Sequence, residues 1–136
     1  MAGLDRFVTA QAHLYQHALD ELRRGRKTSH WIWFVFPQIA GLGRSDMASF
    51  YAIADAAEAR AYLAHPLLGT RLAECTQAML AHAGKKSAVA ILGEIDAIKL
   101  RSSMTLFDAV DPDALWAACL GAFYEGKRDA ETLKRL

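Results

Sequence analysis

The sequence predicts an all-α fold, a single compact domain of about seven to nine helices over residues 1–136. Three observations carry that expectation. Alanine supplies 26 residues against nine Gly and three Pro, a balance that favours helix over turn. Apolar residues recur at spacings of three and four rather than alternating. No strand–helix alternation interrupts the pattern, so no parallel sheet is expected. Hydrophobic residues at 53% and charged ones at 23% give the chain enough apolar surface for a core, which sets disorder aside.

The first helix is expected from Leu4 to Arg24, with Gly25 as its stop. At 100° per residue its apolar side chains, among them Phe7, Leu14, Ala18 and Leu22, fall within an arc of about 140°. The basic loop RGRKTS then leads into HWIWFVF before Pro37. Periodicity alone does not separate a buried strand from a buried helix there. Ser29 as an N-cap and the helical neighbours favour helix. PQIAGLGRSD reads as a turn into an N-cap at Ser45 and a short helix through Tyr51. Asp55 caps the next helix to about Ala64, which His65-Pro66 breaks. A long helix follows from Leu67 to about Ala83, and Ser87 opens a short turn ending at Gly93. Ile95 to Val110 forms a second long helix. Asp111-Pro112 puts an N-cap and an N1 proline ahead of a helix to about Glu125, and Asp129 caps the last one.

Charge and motifs exclude several classes of function. Sixteen basic residues face fifteen acidic ones. The short cluster from Arg23 to Lys27 is the only basic run, so the balance argues against nucleic acid as the main partner. No apolar stretch approaches the ~20 residues of a membrane-spanning helix. Asp5 and Arg6 in MAGLDRFVTAQ stand where an export signal needs an apolar segment, so a cytoplasmic protein is expected. Cys75 and Cys119 form no CxxC and signal neither zinc nor a disulfide framework. His13 and His17 lie four apart but opposite the apolar arc, so no metal site is expected. Cys75, beside Leu72 and Met79, reads as an inert core thiol. No cofactor fingerprint is present, neither a P-loop nor a βαβ glycine motif.

Polar residues on apolar faces mark where a site would lie, because an unpaired buried polar group costs about 1–3 kcal/mol. Gln11 projects into the arc of the first helix and needs partners from another segment, a loop backbone or else a ligand. On EIDAIKLRSSMTLFDAV, Asp96, Lys99 and Ser103 share the face of Ile95, Leu100, Met104 and Phe107 at helical spacing. Three explanations compete: an internal salt bridge that ties the helix to a loop, a helix face that is partly exposed, or a lysine and serine lining an anion pocket. Arg101, Ser102, Thr105 and Asp108 fall on the other side, which reads as solvated. The aromatic cluster of Trp31, Trp33, Phe34 and Phe36 reads as core, with one Trp face able to stack on a ligand. GLGRS ahead of a helix start could present backbone N–H groups to a phosphate. His30, beside the aromatic run, would titrate near neutrality or satisfy a loop carbonyl.

The phrases RFVTAQ, SHWIWFVFPQIAGLGRS, AYLAHPLLGTRL and KLRSSMTLF, in that order, resemble the bacterial and fungal proteins grouped as DUF1810. The resemblance runs from Leu4 to Leu136 and implies a single, mainly α-helical domain. It implies no established activity. Some members carry the label calpastatin, which would imply a protease inhibitor. Such inhibitors are flexible segments that fold on their target, whereas this composition is that of a compact core. Positions matching the family phrases include Gln11, His30, Trp31, Gln38, Gly41, Gly43, Ser45, Lys99, Ser102 and Ser103.

Two functional expectations follow. The first is a binder, or an enzyme, for a small phosphate-bearing or nucleotide-like ligand. Its ligand-binding candidates are Trp31, Gln38, Gly43, Ser45, Lys99 and Ser103, with His30 as the candidate acid or base. The partner would then be a small anion. The second is a non-enzymatic protein-interaction or inhibitor module, which would show an exposed apolar patch.

Overall fold

Gly25 stops the first helix as the sequence predicts. It adopts the left-handed conformation at φ 76°, where a side chain would be strained, and its N–H returns to the carbonyls of Glu21 and Leu22. In the computed structural model, which describes residues 3–136, this helix (α1) spans Asp5–Arg24. Met1 and Ala2, the first residues of the stretch set against an export signal, lie outside the described residues.

Eight more helices follow, and among the described residues there is no strand. They are α2 (Ile32–Val35), α3 (Asp46–Phe50), α4 (Ala56–Ala64), α5 (Leu68–Leu80), α6 (Ala88–Leu92), α7 (Glu94–Val110), α8 (Ala114–Tyr124) and α9 (Ala130–Lys134). Ser45, Asp55, Ser87 and Asp129 cap α3, α4, α6 and α9 through their side-chain oxygens, each accepting an N–H of the first turn.

Two starts differ from expectation. Ser29 does not cap α2; Trp31 takes that position, with no side-chain cap. The Ser29 hydroxyl donates instead to Glu21 Oε2 at 2.5 Å. The cap of α8 is Asp113, whose carboxylate accepts from Leu115 N. Asp111 closes α7, its N–H donating to Phe107 O, so the new helix begins after Pro112 rather than on it.

α5 and α7 are central. α5 packs on α1, α4 and α8, while α7 packs on α4, α6, α8 and α9. An aromatic chain crosses the core: Phe7 to Tyr62 at 5.1 Å edge-on, Tyr62 to Phe107 at 5.4 Å, and Phe107 to Trp116 at 6.2 Å. It ties α1, α4, α7 and α8 together. Gln11, 1% exposed, sits inside this core. Its amide donates to Phe34 O at 2.7 Å and Tyr62 Oη at 3.3 Å, and its oxygen accepts from Arg71 at 3.3 Å. Its partners do come from other segments, but the backbone it ties is that of α2 at Phe34 rather than a loop.

Glu21 performs the same service for the basic loop. It accepts the N–H groups of Thr28 and Ser29, the Ser29 hydroxyl and, at 3.0 Å, the Trp31 indole. Burial opposes its charge, but these bonds outweigh that and bring its carboxyl down to about 2. On α7 the expected faces need correction. Ile95, placed on the apolar face, is 71% exposed. Ser102 and Thr105, read as solvated, are buried. The segment before α9 explains this, because Ser102 donates to Asp129 and Thr105 Oγ1 accepts the Asp129 N–H.

Candidate functional site

A cavity of about 300 Å³ opens between the loop after α2 and the first turns of α7. Gln38, Leu42 and Gly43 come from the loop, Ile95, Ile98, Lys99 and Ser102 from α7, and Asp129 and Glu131 from the start of α9. The four α7 residues recur at spacings of three and four and therefore share one helix face. Three segments remote in sequence thus meet at one place.

The loop is held by backbone bonds. Ile53 N donates to Gln38 O and Ala40 N to Ile53 O, both at 2.8 Å, forming an isolated parallel bridge between Ile39 and Ile53. Gly41 lies at φ 97°, and its carbonyl accepts from Arg135 at 3.2 Å. Gly43 packs so closely that a Cβ there would stand 2.5 Å from the Ala48 Cβ. On the opposite side Asp129 caps α9. Its Oδ2 accepts from Ser102 Oγ at 3.0 Å, Thr132 N at 3.2 Å and Thr132 Oγ1 at 2.5 Å. Burial disfavours its charge, yet these bonds and the nearby Arg101 guanidinium hold the carboxyl below its usual value.

The charges beside the cavity do not cancel pairwise. Lys27 Nζ lies 2.8 Å from Asp96 Oδ2, and its side chain is 8% exposed. Lys99 Nζ stands 3.7 Å from the other oxygen, beyond hydrogen-bond length. It rests 5.2 Å from the Trp33 ring centroid, as Lys27 does from Trp31. Two ammonium groups against one carboxylate leave one positive charge, and Lys99 is the member that lines the cavity. Asp129 has Arg101 near it, and Glu131 pairs with Lys134 at 3.2 Å.

The family model described as protein of unknown function (DUF1810) matches residues 1–136. The chain belongs to the DUF1810 family. A solved relative is the conserved hypothetical protein Rv1873 from Mycobacterium tuberculosis, 47% identical to this DUF1810 chain. It aligns over 98% of this chain and 95% of its own with a TM-score of 0.94. No curated protein matches. Among the described residues no helix is long and apolar enough to cross a membrane, and no group of three or more His, Cys, Asp or Glu is placed to hold a metal ion.

Of the residues singled out in this DUF1810 sequence, the fold brings Gln38, Gly43 and Lys99 together. The other four lie elsewhere. His30 borders a separate depression with Leu92, Gly93, Glu94, Ile95 and Asp96, touching the first cavity only through their common Ile95. Trp31 is 0% exposed and presents no face for stacking. Ser45 Oγ accepts Ala48 N as the α3 cap. Ser103 is wholly buried, and its hydroxyl has no hydrogen-bond partner among the described residues. Burial raises both cysteine thiols to about 12, so neither is a nucleophile near neutral pH. The sequence did not single out Ile98, Asp129 or Glu131 as site residues, and Ser102, although it matches the family phrases, read as solvated. Only the Asp129 cap was visible, and a cap signal does not say what the second carboxylate oxygen faces.

Proposed function

We propose that this DUF1810 protein binds a small phosphate-bearing, nucleotide-like ligand in the cavity between the 38–43 loop and α7. One observation carries the proposal: Lys99 makes no hydrogen bond among the described residues, and Asp96, its ion-pair partner at 3.7 Å, is already bonded by Lys27 at 2.8 Å. A largely buried ammonium that shares its one ion-pair partner favours an anion beside it. Gln38 adds an amide able to donate or accept, and Leu42, Ile95 and Ile98 supply apolar contact for the rest of the ligand. His30 borders the next depression, so the proposal concerns binding and names no reaction. The two free, buried cysteines fit a reducing compartment, and we place the protein in the cytoplasm.

A thermal-shift panel of inorganic phosphate, adenosine monophosphate, ADP-ribose and ribose 5-phosphate tests the proposal. A ligand at 100 times its dissociation constant adds about 2.7 kcal/mol, a rise of several degrees in Tm. The rise should vanish in Lys99→Ala with that variant folded. A panel without response contradicts it.

The second functional expectation, a protein-interaction or inhibitor module, draws support from Ile95 and Ile98, which are 71% and 66% exposed. On that reading a protein partner is lost in Ile95→Ser with Ile98→Ser and retained in Lys99→Ala.

A further inference from the structure

All three hydrogen bonds that Asp129 accepts through its side chain converge on Oδ2. Oδ1 accepts none among the described residues. A capping carboxylate with one solvated oxygen is ordinary. Here Asp129 lines the same cavity as Lys99, whose one ion-pair partner is shared with Lys27. We infer that the ligand is a phosphorylated sugar or mononucleotide whose neighbouring hydroxyls donate to Asp129 while its phosphate meets Lys99, an assignment that rests on the phosphate reading above.

Charge and size agree on that class. Arg101 near Asp129 and the Lys134 partner of Glu131 leave this end of the cavity close to neutral, so it does not select a cationic group. What it offers is an acceptor without a donor, and a hydroxyl is the neutral donor that fits. Ser102 follows Lys99 by three residues on the same face, about 4.5 Å along the helix axis. Asp129 Oδ2 is 3.0 Å from Ser102 Oγ. Lys99 and Asp129 thus reach the cavity from points about one helical turn apart on α7, Asp129 through its bond to Ser102. A volume of about 300 Å³ lies at the small end of ligand sites, which suits a mononucleotide better than a dinucleotide.

Isothermal titration of the whole chain with adenosine monophosphate and with its 2′,3′-dideoxy analogue tests the inference. Asp129→Asn keeps an oxygen for the α9 cap and puts an NH₂ donor in place of Oδ1. Wild type should bind adenosine monophosphate at least about tenfold more tightly than the analogue, the scale of a hydrogen bond to a charged acceptor. In Asp129→Asn that preference should vanish, and Lys99→Ala should weaken both compounds. Equal binding of both by wild type, weakened in Lys99→Ala, overturns the hydroxyl assignment and leaves the phosphate site standing. So does a preference that survives Asp129→Asn. Binding of neither compound overturns both. The comparison on wild type needs no variant, so the outcome does not depend on Asp129→Asn folding.

Discussion

Lys27 and Asp96 form the closest ion pair beside the cavity, 2.8 Å between Nζ and Oδ2 across the contact of the basic loop with α7. The Lys27 N–H donates to Ile91 O at 2.8 Å, which fixes the loop against α6. By bonding Asp96 at 2.8 Å, Lys27 leaves Lys99 the longer, 3.7 Å contact with the same carboxylate, although Lys27 does not line the cavity.

Lys27→Met should therefore weaken phosphate binding from a distance. Asp96 would turn to Lys99 and cancel its charge. The expected loss is about tenfold in Kd for adenosine monophosphate, or ~1.4 kcal/mol, read by isothermal titration. An unchanged affinity in the folded variant would show that Lys99 does not depend on Lys27.

Glu21 anchors the loop that carries Lys27, so its titration should appear in the stability of the whole fold. Its folded value of about 2 lies below the ordinary 4.5, so its contribution is complete above pH 4.5 and is lost as pH falls toward 2. Glu21→Gln should lower stability by about 1–3 kcal/mol at pH 7. Urea melts at successive pH values should show the gap between variant and wild type closing between pH 4.5 and 2. A gap independent of pH in that window would refute the assignment.

Gln11 has a structural role. Gln11→Leu fills the space but leaves Phe34 O and the Arg71 guanidinium without their partner. A cost of about 1–3 kcal/mol is expected in denaturant melts, with ligand affinity unchanged in protein that remains folded. A neutral effect on stability would count against this role.

Local chemistry made most of the fold legible before any coordinates. Gly25 as a stop and Ser45, Asp55 and Asp129 as caps act within a few residues, so their positions read directly from the chain. What failed depended on remote partners. Ser29 resembles a cap by its neighbours, but Glu21, eight residues earlier, takes its hydroxyl. Ser102 and Thr105 resemble a wet face until the segment before α9 covers them. The candidate site divides in the same way. Lys99 and Gly43 stood out as polar or flexible points in apolar surroundings, and they do meet. Trp31 was indistinguishable by sequence from its neighbour Trp33, yet Trp31 is wholly buried while Lys99 rests against Trp33. Nothing local announces that Asp129 closes on Ser102.

The most direct test is a crystal structure of the chain soaked with adenosine monophosphate. The phosphate should lie about 2.7–3.2 Å from Lys99 Nζ, with the nucleoside against Leu42, Ile95 and Ile98. A phosphate bound beside His30 in the neighbouring depression, or an empty cavity at saturating nucleotide, would contradict the central claim.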